Sequence, residues 1–135
     1  PAWAGCVSSG GYGLSVPAFQ ASDMITAGTV RSIVGIRNDG AYRTNLVLAN
    51  AGTSEIVVTG TLRASGSEVL GTKSWPLPPL GMTQGSDTLA GQMGISGSFR
   101  DAQLILETST PGGTFAAYAT VIDNATNDAR TLLPR

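Results

Sequence analysis

The residue types that most enzyme active sites need are scarce in this chain of 135 residues. It contains no histidine and a single cysteine, Cys6. The absence of histidine excludes Ser-His-Asp and Cys-His catalysis and most zinc sites. The sequence also has no Gly-x-Ser-x-Gly elbow and no Ser-x-x-Lys motif. Carboxylate pairs for glycoside hydrolysis stay open, because such pairs form in space rather than in sequence. We nevertheless predict that the chain is not an enzyme.

The densest cluster of oxygen ligands is Asp123-Asn-Ala-Thr-Asn-Asp128. Calcium binds carboxylate, amide and carbonyl oxygens in such loops, so Asp123, Asn124 and Asp128 are candidate calcium ligands. The spacing does not match an EF-hand, because Ala125 occupies the third position and no glutamate closes the loop. The favoured alternative is an Asx-rich turn whose side chains bind their own backbone. No other cofactor is predicted.

Aromatic rings are a second candidate for ligand binding, since sugars stack on them in carbohydrate-binding sandwiches. Trp75 and Tyr118 are the candidate residues. Trp75 lies in phase with Lys73 and Leu77 on a predicted strand, directly before a proline, which suits a sheet edge or rim. The alternative is packing in the core or at its rim. The sequence favours packing, because the tryptophans and tyrosines are scattered along the chain: Trp3, Tyr12, Tyr42, Trp75 and Tyr118.

Two charged residues interrupt otherwise apolar strands, Arg43 and Asp123. In one interpretation both face solvent or a ligand. In the other, they join Asn45 and the backbone of Asn124 in a partly buried polar network. We favour the network, because buried charges persist only when they are paired and hydrogen-bonded. Arginine, with its planar fork of donors, suits such a network better than lysine does.

The composition indicates a folded chain whose partners are not polyanions. Hydrophobic residues make up 41% and charged residues 13%, about half the usual charged share. Ser, Thr, Asn and Gly supply the polarity instead, so disorder of the main body is rejected. The net charge is −1 and no basic cluster is present, which argues against nucleic acid and anionic membrane as partners. No apolar run approaches the roughly 18 residues of a membrane span.

The hydrophobic pattern alternates with a period of two, which is typical of half-buried strands. Tyr42–Asn50 and Glu55–Ala64 flank the turn signal Ala51-Gly-Thr-Ser, so they are predicted to form an antiparallel hairpin at the centre of a sheet. A short helical turn is expected within Ala21–Thr26. Further strands are predicted over Leu14–Phe19, Thr29–Ile36, Val69–Leu77, Gly81–Leu89, Ala102–Ser109, Thr114–Asp123 and Thr131–Leu133.

About eight strands with turns roughly every 8–12 residues, and no helical segment of ten residues, predict an all-β antiparallel β-sandwich. A barrel is the alternative. One domain is expected for this length. By composition, residues 1–13 form a flexible connector and residues 14–135 the sandwich domain.

Three stretches carry a family likeness: Ile33–Asn50, Gly71–Gly81 and Tyr118–Asp128. Two motifs within them, Arg43-Thr-Asn45 on one strand and Val121-Ile-Asp-Asn124 on another, recur together in one group of proteins. The chain resembles immunoglobulin-like modules found in large secreted or surface proteins of bacteria. The resemblance implies an immunoglobulin-like fold of about 7–9 strands and an extracellular or cell-surface location. It also implies a non-catalytic role as spacer, stabiliser or adhesive domain. The expected partners are other domains of the parent protein or surface partners. A carbohydrate- or calcium-binding module is the alternative function.

The first residues carry two smaller signals. The chain begins at Pro1 without a methionine, so we expect a processed protein or a fragment of a longer one. Cys6 is the only cysteine and cannot form a disulfide within the chain. Trp3-Ala-Gly-Cys6 is slightly similar to a lipoprotein acylation box, but the favoured interpretation is an incidental or buried thiol.

Overall fold

The computed structural model describes Val16, residues 18–85 and residues 87–135, and it describes the backbone alone for Gln84. The expected connector over residues 1–13, with Cys6, lies outside the described residues. So does half of the strand predicted over Leu14–Phe19; Val16 and residues 18–19, which are described, are not in a strand. No helix in the described part of the chain is long and apolar enough to cross a membrane.

Nine strands in two packed antiparallel sheets account for most of the described chain, which confirms the predicted all-β sandwich. A 3₁₀ turn at Ala21–Asp23 precedes the first strand, and a one-turn helix α1, Leu89–Gln92, lies between the sixth and the seventh. The strands are β1 Ile25–Thr26, β2 Arg31–Asn38, β3 Tyr42–Asn50, β4 Ile56–Arg63, β5 Val69–Leu77, β6 Met82–Gln84, β7 Phe99–Thr108, β8 Thr114–Asp123 and β9 Ala129–Leu132.

The two sheets enclose one apolar core. The first has the strand order β1-β8-β3-β6, with β9 also paired to β8, and the second has the order β2-β7-β4-β5. Alternate residues of the long strands point inward, as the period of two requires. On β4 these are Ile56, Val58, Gly60 and Leu62, all buried. Helix α1 adds Leu89 and Ala90 to the core, where the sequence predicts the end of a strand followed by a loop.

The predicted hairpin of β3 and β4 is wrong. β3 pairs with β8 and β6, while β4 pairs with β5 and β7, so the two strands belong to opposite sheets. The crossing follows Asn50, whose side chain is buried. Its Nδ2 donates to the carbonyls of Ser54, Leu77 and Pro78 at 2.8, 3.2 and 3.1 Å, and its Oδ1 accepts from the backbone N–H of Gly52 at 2.8 Å. These bonds turn the chain across the sandwich instead of back along one sheet.

The pairing of β2 with β7 is irregular toward the end of β2. The β2–β7 register shifts twice, between Val34 and Ile36 and again between Ile36 and Asn38. Gly35 has a φ of 85°, a conformation that glycine adopts without a Cβ penalty. The Thr44 hydroxyl of β3 then donates to the carbonyl of Arg37 at 2.6 Å and accepts from its N–H at 3.2 Å. This contact joins the two sheets beside the β2–β3 turn and holds the backbone of Arg37 in position.

Candidate functional site

A shallow cavity opens at the end of the sandwich, between the end of β2 and the β8–β9 turn; we call it the mouth. Its volume is about 400 Å³. The buried side chain of Val121 and the half-buried Ala129 are its apolar lining, and charged or aromatic side chains form the rest. The complete lining is Arg37, Tyr42, Val121, Asp123, Asp128, Ala129 and Arg130.

Asp39, in the β2–β3 turn, anchors one side of the mouth. Its Oδ2 accepts from Nε of Arg37 at 2.7 Å and from Nε of Arg100 at 3.1 Å. Its Oδ1 accepts from the backbone N–H groups of Ala41 and Tyr42, both at 2.9 Å. The hydrogen bond from Arg37 is the main cause that lowers the pKa of Asp39 from 3.8 to about 2; partial burial opposes this shift, and the two backbone donors reinforce it.

The bonds to Asp39 also hold Arg37 over the ring of Tyr42. The guanidinium carbon lies 4.0 Å from the ring centroid, which is a cation–π contact. Tyr42 is the first residue of β3, and its backbone carbonyl accepts from the N–H of Asp39 at 2.9 Å. The guanidinium and the ring therefore form a two-layer wall whose position is fixed from both the backbone and the side chains.

The predicted pair of Arg43 and Asp123 does not form. In the β3–β8 ladder, Tyr42 lies opposite Asp123 and Arg43 lies opposite Ile122. Neighbouring register positions point to opposite faces of a sheet, so the two charged side chains diverge. The ion pairs within the described residues are instead those that Asp39 makes with Arg37 and Arg100.

Arg43 does belong to a polar network, with other partners than predicted. Its Nη1 donates to Oδ1 of Asn124 at 2.8 Å, and its Nη2 donates to Oδ1 of Asn127 at 3.4 Å. The amide of Asn124 donates in turn to the carbonyl of Gly40 at 3.3 Å. Asn45 lies two residues further along β3, opposite Thr120. The network therefore ties the β8–β9 turn to the β2–β3 turn through neutral side-chain amides rather than through a carboxylate.

One of the three candidate calcium ligands, Asp123, forms the Asx turn that the sequence favours. Oδ1 of Asp123 accepts from the N–H groups of Ala125 and Thr126 at 2.8 and 3.3 Å. Asn124 serves Arg43, while the side chain of Asp128 makes no hydrogen bond within the described residues. The described part of the chain holds no group of three or more histidine, cysteine, aspartate or glutamate side chains arranged for a metal ion. Calcium binding here stays a prediction.

The two candidate aromatic residues lie in different environments. Trp75 is on the outer strand β5, as expected for a sheet edge, but only 6% of it is exposed. Its Nε1 donates to Oε1 of Gln92 in α1 at 3.0 Å. The ring therefore packs in the core and presents no open face to a sugar. Tyr118 is half-buried on β8 and packs beside Phe19, with ring centroids 6.4 Å apart. The two residues do not form one platform.

Sequence reasoning missed four residues of the mouth and its support: Arg37, Asp39, Arg100 and Arg130. Asn38-Asp39-Gly40 is visible as a turn signal, and Asp39 performs the turn role through its two backbone hydrogen bonds. Arg100 approaches Asp39 from 61 positions along the chain. No local pattern marks that contact, because it depends on which strands are neighbours in space.

Fold and cavity together define a two-sheet antiparallel β-sandwich with a polar mouth at one end. No protein-family model matches the chain, and no curated protein matches it. Among solved structures, the chain is similar to the crystal structure described as Thermotoga maritima 1070. The TM-score is 0.58 at 15% sequence identity, and the similarity covers 81% of this chain and 91% of that chain. At this identity the likeness is one of fold.

Proposed function

We propose that the chain is a non-catalytic interaction module, a spacer, stabiliser or adhesive domain of immunoglobulin-like type in a secreted or cell-surface bacterial protein. The observation that carries the proposal is that hydrogen bonds within the protein occupy the carboxylate of Asp39. Four donors surround its carboxylate, and its pKa of about 2 keeps it ionised at neutral pH. A group whose pKa lies so far below neutral pH is poorly suited to general acid or base catalysis, because the best pKa for that role lies near the operating pH.

The neighbouring polar side chains also support an architectural role. Arg43 connects two turns through Asn124 and Asn127, and Asp123 closes its own turn. Such contacts hold loops at the end of a sandwich in fixed positions, which is what an interaction surface needs. The sequence resemblance to bacterial surface modules supports the same role and the same location. The proposed partners are other domains of the parent protein or surface molecules.

The alternative, a carbohydrate- or calcium-binding module, is favoured by one specific observation, the mouth itself. It places an aromatic ring beside carboxylates and an arginine in a concave surface. Concave sites with an apolar lining and a few polar groups are the usual form of small-ligand sites. Calcium would use Asp123 and Asp128, whose side chains line this cavity.

One measurement tests the non-catalytic role, and a second tests the metal alternative. The purified chain is assayed against chromogenic ester, glycoside and peptide substrates beside an Asp39→Asn variant. We expect no turnover above the rate of heat-denatured protein; turnover that survives purification would overturn the proposal. Thermal unfolding with millimolar calcium tests the metal alternative, since a ligand that binds only the native state raises the melting temperature. We expect no shift, and a chelator-reversible rise of several degrees would establish a calcium site.

A further inference from the structure

The geometry points to the mouth as a binding site for a neutral saccharide, with Tyr42, Asp128 and Arg130 as the contact residues. The inference rests on the proposed interaction role and gives that role a ligand class. It moves the expected aromatic contact from Trp75, which is buried, to Tyr42, which lines an open cavity. Three features of the mouth favour such a ligand: a fixed aromatic wall, free polar groups on the rim, and balanced charge.

The aromatic wall is held in position before any ligand arrives. The carboxylate of Asp39 accepts hydrogen bonds from Nε of Arg37 and from the backbone N–H of Tyr42. The guanidinium carbon of Arg37 lies 4.0 Å from the centre of the Tyr42 ring. Because these contacts exist in the free protein, a ligand need not order the wall on binding. Preorganisation of this kind raises affinity by lowering the entropy lost on association.

The rim supplies free hydrogen-bonding groups. Within the described residues, the carboxylate of Asp128, the guanidinium of Arg130 and the hydroxyl of Tyr42 take part in no hydrogen bond, and both Asp128 and Arg130 are exposed. A carboxylate only accepts, a guanidinium only donates, and a phenol does both. Sugar hydroxyls also donate and accept, so a polyhydroxylated ring matches this set.

Charge decides which saccharides fit. Two arginines, Arg37 and Arg130, and two aspartates, Asp123 and Asp128, line the mouth. An anionic sugar would lie close to both carboxylates, and a cationic one close to both guanidinium groups, so like charges would oppose either. A neutral saccharide can use both kinds of group without such repulsion. The mouth therefore favours neutral over uronic-acid, sialylated or amino sugars.

The test is a glycan array of neutral, acidic and amino saccharides, followed by titration calorimetry with the retained glycan on the whole chain. Arg130→Ala and Asp128→Asn alter only exposed side chains, so both variants are expected to fold, which circular dichroism checks. Each should weaken binding at least tenfold. Arg63→Ala is the matched control, because Arg63 lies on the β4–β5 hairpin and does not line the mouth; it should bind as the parent chain does.

Three results would overturn the inference: a blank array, retention of charged saccharides alone, or a retained neutral glycan whose affinity neither Arg130→Ala nor Asp128→Asn changes. A blank array would leave the non-catalytic interaction role standing with another partner. Conversely, turnover of a retained glycan would refute that role while keeping the site. The two proposals therefore fail by different outcomes.

Discussion

Asp39 and Arg100 are 61 positions apart in the sequence, yet Nε of Arg100 donates to Oδ2 of Asp39 at 3.1 Å. The same oxygen accepts from Arg37 at 2.7 Å, so one carboxylate joins the start of β7 to the β2–β3 turn. Arg100 is largely exposed and contributes little by itself, as surface pairs generally do. The Arg37 bond is shorter and less exposed, and it is the largest cause of the lowered pKa of Asp39.

The first prediction is an acid-sensitive contribution to stability from Asp39. Its pKa falls from 3.8 to about 2 on folding, so the folded state favours the ionised form. The stabilisation is fully present above pH 3.8 and is lost as the pH falls through 2. Urea unfolding from pH 7 to pH 2 should therefore show a stability gap between the parent chain and Asp39→Asn that narrows below pH 4. A gap that does not change over this range would contradict the lowered pKa.

The second prediction concerns Arg43, whose partners are amides rather than a carboxylate. Since its acceptors are neutral and exposed, Arg43→Ala should destabilise the chain by less than about 1 kcal/mol. Asp123→Ala should cost about 1 kcal/mol, because it removes the acceptor of the two N–H groups in its turn. The two side chains form no hydrogen bond or ion pair with each other but support the same β8–β9 turn, so their double-mutant coupling should stay below about 1 kcal/mol. Denaturant unfolding of the four proteins measures this, and coupling above about 1 kcal/mol would restore the predicted pair.

The strands follow from the sequence more readily than their neighbours do. Tyr42–Asn50, Val69–Leu77 and Thr114–Asp123 are predicted with the observed ends, because alternation and turn residues are local signals. The sheet that each strand joins depends instead on contacts outside that strand. Alternation in β4 is equally compatible with pairing to β3 or to β7, and the buried side chain of Asn50 selects the crossing.

The candidate site shows the same limit. Arg43 and Asp123 look like partners because each breaks an apolar run, but a one-position offset in the β3–β8 register sends them to opposite faces. Asp39 looks like a turn residue and is one, while its bond to Arg100 depends on sheet topology. Trp75 lies on an edge strand as expected, but its ring packs in the core and its Nε1 donates to Gln92 of helix α1, which the strand pattern does not predict.

The third prediction concerns backbone strain at Leu80. Its φ is 53°, in the left-handed region, and 72% of it is exposed. The N–H of Gly81 donates to the carbonyl of Pro78 at 2.9 Å, which closes a four-residue turn with Leu80 in third position. Glycine is favoured there, because a Cβ is disfavoured at positive φ. Leu80→Gly should be about 1 kcal/mol more stable than Leu80→Ala, which shortens the side chain but keeps the strain. Thermal unfolding compares the two, and equal melting temperatures would show that the turn carries no strain.

The last prediction concerns Asn50, which is 3% exposed at the point where the chain leaves the first sheet for the second. Asn50→Ala removes donors and an acceptor that serve Gly52, Ser54, Leu77 and Pro78. Buried donors and acceptors left without partners destabilise the folded state, so the substitution should lower the free energy of unfolding by on the order of 3 kcal/mol.

Asn45→Ala is the matched control, because Asn45 lies on the same strand β3 with its side chain half-buried on the other face of the sheet. It should change stability by less than about 0.5 kcal/mol. Urea unfolding of both variants gives the comparison. If Asn50→Ala is as mild as Asn45→Ala, the crossing between the sheets does not depend on the Asn50 side chain, and the prolines that follow β5 become the next candidates for directing it.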